Sequence, residues 1–203
     1  MSKLGPLKVG ITGGIGAGKS VSSKIFSILG IPTYSADNRA KWLMSNNPGL
    51  SEQIKKEFGL ESYLPDGSLN RQFLAETVFS DPKKVKKINE LVHPVVSQDF
   101  LIWAKTQNSP YVLKEAALIF ETGGQNSLDF TINVSSPLKI RVSRILMRDS
   151  HRSELQINQI INQQMPDEEK NDLADFVIKN TDNKLLIPQV LAIHEKLLNN
   201  AEM

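Results

Sequence analysis

Gly13-x-x-x-x-Gly18-Lys19-Ser20 is the most chemically specific spacing in the chain. Glycines let a short loop wrap with its backbone N–H groups turned inward, which suits an anion. A helix opening at Lys19 would add its positive N-terminal end. The lysine then supplies a point charge for β- and γ-phosphates, and the serine hydroxyl a hard oxygen for Mg²⁺. An apolar strand-like run, Leu7–Thr12, precedes the motif, and helical spacing of Val21, Ile25, Ile28 and Leu29 follows it. The motif therefore predicts a nucleotide phosphate site built by Gly14, Ile15, Gly16, Ala17, Gly18, Lys19, Ser20 and Val21. Alone it does not separate ATP from GTP, or transfer from switching.

A guanine-nucleotide switch needs DxxG and NKxD elements. Neither occurs, and Asn183-Lys184 runs into Leu185-Leu186. A small kinase fits better, since it needs the loop, a second substrate pocket, a basic lid and a positioned base. Asp37 lies just beyond the second strand-like run, and ligands of open α/β sheets gather at carboxyl ends of strands. It is the candidate base; its plainer alternative is an N-cap for a helix opening near Asn38. Residues 141–173 read as helical and carry Arg141, Arg144, Arg148 and Arg152, which suits a lid.

The elements that must position these groups alternate. Ile31–Ser35, Tyr111–Ala116, Phe130–Ser135 and Phe176–Lys179 read as further strands, with helices between them. Consecutive apolar positions in Leu7–Thr12, Tyr111–Ala116 and Phe130–Ser135 suit buried parallel strands. The pattern predicts a three-layer α/β/α domain with a parallel sheet. Residues 36–110 carry no convincing strand and read as a helical insertion, with a helix over Arg71–Phe79 and a longer one over Lys83–Lys105 that Pro94 could bend. One domain of 203 residues follows: core at about 7–35, 111–140 and 174–203, insertion at about 36–110, lid at about 141–173.

A net charge of +2 is too mild for a nucleic-acid surface, and the Lys83, Lys84, Lys86, Lys87 run reads as a solvated helix face. The absence of cysteine removes disulfides and thiolate metal sites. No apolar run is long enough for a membrane helix and residues 1–12 lack the signal-peptide pattern, so a cytoplasmic soluble protein is expected.

Several separated segments, in order along nearly the whole chain, resemble the dephospho-CoA kinase family. They are KVGITGGIGAGKS, Tyr34-Ser35-Ala36-Asp37, Leu69-Asn70-Arg71 through Val78-Phe79, Leu91-Val92-His93-Pro94, Ala117-Leu118-Ile119-Phe120-Glu121, Arg144 to Arg148-Asp149 with Gln164 in the next helix, and Ala174–Ile178 with Asn180. The resemblance implies a P-loop kinase using ATP and Mg²⁺ to phosphorylate the ribose 3′-hydroxyl of dephospho-CoA, the last step to coenzyme A. It implies Asp37 as catalytic base, Lys19 and Arg144 as catalytic charges and Ser20 as metal ligand. Asn180 would lie by the adenine, and Arg71 and His93 would meet the substrate. An ion pair for Arg71 and a helix bend at His93-Pro94 are the alternatives; Arg148 could pair with Asp149, and Arg141 and Arg152 read as surface charges. The chain departs from the family pattern at Ser35, where an Asp is usual, at Ala117 for a frequent Pro, and at Val21 for a common Thr.

Overall fold

A computed structural model describes residues 5–78, 81–149 and 153–201. The strands are β1 (Leu7–Thr12), β2 (Thr33–Ser35), β3 (Tyr111–Glu115), β4 (Phe130–Ser135) and β5 (Phe176–Lys179). They form one parallel sheet in the order β2-β3-β1-β4-β5, with helices on both faces. β1, which feeds the glycine loop, is central: Ile11 aligns with Glu115 on one side and with Ile132 on the other. The three-layer α/β/α reading from the sequence is thus the observed fold.

Side chains alternate across a strand, so one sheet face is set by every second residue. Leu7, Val9 and Ile11 of β1 share the core with Tyr111 and Leu113 of β3, Ile132 and Val134 of β4, and Ile178 of β5. Helices α1 (Lys19–Ile28) and α9 (Leu186–Ala201) complete that core with Phe26, Val190, Ile193 and Leu197. Thr131, Asn133 and Ser135, the alternate residues of β4, are polar. Asp175 accepts from the Thr131 hydroxyl and backbone N–H at 2.8 Å, and the Asn133 amide donates to Asn171 Oδ1 at 2.8 Å. The sheet is covered on both faces, but only one face is uniformly apolar.

The chain divides into two compact units, residues 36–103 and the rest. The smaller unit holds α2 (Ala36–Asn46), α3 (Pro48–Phe58), α4 (Arg71–Val78) and most of α5 (Pro82–Lys105). α5 continues through Pro94. Within this unit Arg39 of α2 binds Asp99 of α5 through two N–H donors, at 2.7 and 2.9 Å, and lies 4.0 Å from the centroid of the Trp42 ring. The larger unit also contains α6 (Leu138–Arg148), α7 (Glu154–Asn162) and α8 (Asp167–Leu173). Phe79 and Arg152 lie outside the described residues.

Tyr111, fully buried in β3, meets His194 of α9, with 2.6 Å between its hydroxyl and Nδ1. Burial pushes the Tyr111 pKa up, and burial lowers that of His194 against a smaller opposing effect from Glu195. Neutral imidazole is the form that accepts the phenol proton. Because the folded His194 pKa lies below its ordinary 6.5, the unfolded chain takes up the proton first as pH falls below that value, and stability drops. The melting temperature is expected to fall between about pH 7.5 and 5.5, with a shallower fall in His194→Gln. Equal slopes in the two proteins would assign the acid loss to other groups.

Candidate active site

The loop at residues 13–18 joins the carboxyl end of central β1 to α1. Gly18 caps α1 at φ 101, in the left-handed region, where its α-hydrogen faces Asn180; a Cβ there would overlap the Asn180 amide. The first turn of α1 carries no acidic residue, so its positive end is uncompensated by a carboxylate of its own. Lys19 folds along the loop and donates from Nζ to the Gly13 carbonyl at 2.8 Å. Ser20 is exposed at the mouth, and its hydroxyl donates to Glu115 Oε1 at 2.8 Å.

Glu115 is the site residue that the sequence reading left unassigned. It ends β3, directly beside Ile11 of β1, and so reaches the hydroxyl that follows the loop lysine. A hard carboxylate next to a hard hydroxyl oxygen fits Mg²⁺, which keeps several waters and takes few protein ligands besides phosphate oxygens. Among the described residues no cluster of three or more His, Cys, Asp or Glu offers a self-sufficient metal cage. The signal that could have found Glu115 is an acid at the carboxyl end of an apolar strand run, where ligands of such sheets collect.

Asn180 and Arg144 come together at the other side of the loop. Asn180 donates from Nδ2 to the Ala17 carbonyl at 2.7 Å, and its own N–H bonds the Ser135 carbonyl at 2.8 Å. Arg144 of α6 donates to Asn180 Oδ1 and to the Ser136 hydroxyl, each at 3.4 Å. Arg148, one turn on, makes two 2.9 Å bonds to Asp149, the local pairing weighed for it from the sequence.

Arg141 corrects the sequence reading. It is no surface charge: only 6% of it is exposed, and its Nε donates to the Ile15 carbonyl at 2.9 Å. Burial pushes its pKa down and the Asp167 carboxylate raises it again. Gln164 also sits elsewhere than expected. α7 ends at Asn162, and Gln164 follows in the connection to α8, where its Oε1 accepts the Ile15 N–H at 2.8 Å. Glu121 is structural: its Oε1 accepts from the Met165 N–H at 3.0 Å and lies 2.7 Å from the fully buried Lys170 ammonium.

Asp37, Arg71 and His93 belong to the 36–103 unit. α2 opens at Ala36, one residue before Asp37, so Asp37 stands inside the first turn rather than at the N-cap of a helix opening near Asn38. It is exposed there, two residues beyond Ser35, whose register partner is Glu115. Arg71 is the exposed first residue of α4, whose start is capped by Asn70 accepting the Phe73 N–H at 3.2 Å. His93 is half-buried within α5. Trp42 is 48% exposed, while Trp103 packs against Phe100 with tilted rings, centroids 6.1 Å apart.

Comparison with known proteins gives a consistent answer. A family model described as dephospho-CoA kinase (CoaE) matches residues 7–185. The dephospho-CoA kinase of Porphyromonas gingivalis is 36% identical over 189 residues, covering 93% of each chain. That of Acinetobacter baylyi is 34% identical over 193 residues, covering 95% of this chain and 98% of the relative. The solved dephospho-CoA kinase of Campylobacter jejuni superposes with a TM-score of 0.70 at 26% identity, covering 97% of this chain and 98% of its own. A shikimate kinase from Acinetobacter baumannii, 14% identical with a TM-score of 0.54 over 96% of this chain and 94% of its own, shares the fold. With the phosphate loop, the Ser20–Glu115 pair and the Arg144–Asn180 pair in place, the chain belongs to the dephospho-CoA kinase family.

Proposed function

We propose that the protein transfers the γ-phosphoryl group of ATP to the ribose 3′-hydroxyl of dephospho-CoA, giving ADP and coenzyme A. Family membership makes it a kinase with an alcohol acceptor, acting at the final step of coenzyme A synthesis. Among the described residues no helix is long and apolar enough to cross a membrane; cytoplasmic action is part of the proposal. The observation that carries the chemistry is the Ser20 hydroxyl held against the Glu115 carboxylate beside the glycine loop.

In the reaction the acceptor oxygen bonds to the γ-phosphorus as the bond to the β–γ bridging oxygen breaks, and the hydroxyl proton goes to Asp37. The transition state is loose, so positioning and charge stabilisation supply most of the acceleration. Backbone N–H groups of the glycine loop and of the first turn of α1 hold the phosphates, except that of Ile15, which Gln164 Oε1 takes. Lys19, which bonds the Gly13 carbonyl, moves its ammonium onto the transferring group. Ser20 and Glu115 would hold Mg²⁺, which neutralises phosphate charge when bound. Arg144 turns from Asn180 and Ser136 to the ATP phosphates, and Asn180 borders the adenine. Arg71 and His93 contact the dephospho-CoA.

The test is ADP release from Mg·ATP with 3′-dephospho-CoA, alongside AMP and adenosine as acceptors. Release that requires dephospho-CoA, with coenzyme A as product, is the expected result. Turnover on AMP or adenosine alone would make the chain a kinase of another small acceptor. ATP binding with no transfer to any of the three would make it a nucleotide-dependent binding module.

A further inference from the structure

Ile15 is held on both of its backbone polar groups by side chains from distant parts of the chain. Gln164 accepts its N–H at 2.8 Å across 149 residues, and Arg141 donates to its carbonyl at 2.9 Å across 126 residues. We propose that Arg141 and Gln164 are positioning residues for phosphoryl transfer: they fix the curvature of the glycine loop through Ile15 and act on ATP only through that loop. The proposal rests on the kinase reading of the site.

Three further features support it. Arg141 lies in the first turn of α6, at the positive end of the helix, where a cation is unfavourable. Its guanidinium is also buried, at a desolvation cost that Asp167 only partly offsets. Neither choice serves the helix, whereas both serve a contact with the loop. Second, the loop is shaped to receive it. Gly14 does not have a positive φ, so its conformation alone would admit alanine, yet a Cβ there would overlap the Arg141 guanidinium. At Gly16 a Cβ would come within 2.7 Å of the Arg141 carbonyl oxygen and 3.0 Å of Ile145. The wall of α6 thus lies against the loop at two glycines. Third, α6 divides its arginines: Arg144, three residues on, goes to Asn180 and Ser136, while Arg141 donates to the loop backbone at Ile15.

If the latch acts through Ile15, breaking it from any side has the same effect. Gly14→Ala displaces the guanidinium, Arg141→Ala removes it, and Gln164→Ala releases the opposite side without changing any charge. Displacements near 1 Å at a reacting centre cost up to about 100-fold. Each single variant is expected to raise the calorimetric Kd for Mg·ATP by roughly 5-fold or more, within that limit, with the Kd for dephospho-CoA unchanged. The double variants Gly14→Ala/Arg141→Ala and Gln164→Ala/Arg141→Ala are expected to be no weaker than their weaker parent by more than about twofold. Circular dichroism and melting temperature identify any variant that fails to fold, and the neutral, less buried Gln164→Ala stands if Arg141→Ala does not. Wild-type ATP binding in the same titration is independent of the acceptor, so the latch can fail while the acceptor assignment holds. A silent Gln164→Ala beside a damaged Arg141→Ala would overturn the proposal and make Arg141 a direct phosphate ligand. Multiplying losses in the double variants would overturn it as well, since independent sites add in free energy.

Discussion

Asp37→Asn is expected to lower kcat by roughly 10²- to 10⁴-fold, the range that a positioned general base contributes, while the Kd for Mg·ATP stays within about twofold. Asp37 stands exposed in the first turn of α2, immediately after the carboxyl end of β2. Asparagine keeps the volume and the hydrogen-bonding reach of the side chain but cannot accept the acceptor's proton. Losing one first-turn carboxylate at a helix N-terminus costs about 0.3–1 kcal/mol, so the fold should survive with a small fall in melting temperature. The assay is steady-state ADP release with saturating ATP and dephospho-CoA, with ATP binding measured separately by calorimetry. Activity within about threefold of wild type, under 1 kcal/mol of transition-state stabilisation, would remove Asp37 from the base role. A matched rise in ATP Kd would instead point to a part in nucleotide binding.

The glycine loop and its flanking elements were legible because their information is local. The Gly-x-x-x-x-Gly-Lys-Ser spacing, the apolar run before it and the helical period after it all fall within residues 7–29. β4 and β5 match the expected bounds, since each apolar run is bounded by polar residues. β2 is shorter than read. Pro32 has no N–H for a ladder, and pairing begins at Thr33 opposite Leu113. The last helix, which the sequence places at Leu185–Leu198, runs as α9 from Leu186 to Ala201, and Ala201 still packs on the core. What was missed depends on contacts between distant segments. Glu115 meets Ser20 only because β3 lies beside β1 in parallel register. Arg141 was read as a surface charge because a cation in a polar helical stretch usually is one; its burial follows from α6 lying over residues 14–16. Gln164 was placed in a helix that in fact ends two residues earlier, and the turn that frees it carries its side chain to Ile15. The helical character of residues 36–103 followed from the lack of strand pattern, with a single isolated bridge, Tyr63 to Leu69, among the described residues there.

Lys19→Met carries the second large effect. Methionine keeps the unbranched length of the side chain and removes the ammonium, so the loop retains its packing but loses both the bond to the Gly13 carbonyl and the charge. In a site where catalysis is mostly charge stabilisation, removing one preorganised donor costs about 10²- to 10³-fold in kcat. Some ATP affinity also goes, because the ammonium meets the β- and γ-phosphates in the ground state as well. The two contributions separate in one experiment. A fall in kcat larger than the rise in ATP KM is expected, since charge builds on the transferring group as the bond to ADP breaks. Lys19→Arg should not rescue it: a planar guanidinium is bulkier than the compact ammonium that bonds the Gly13 carbonyl at 2.8 Å. Should Lys19→Met raise only the ATP KM and leave kcat intact, the lysine would bind substrate and transition state equally, and the stabilising charge would have to come from Arg144 instead.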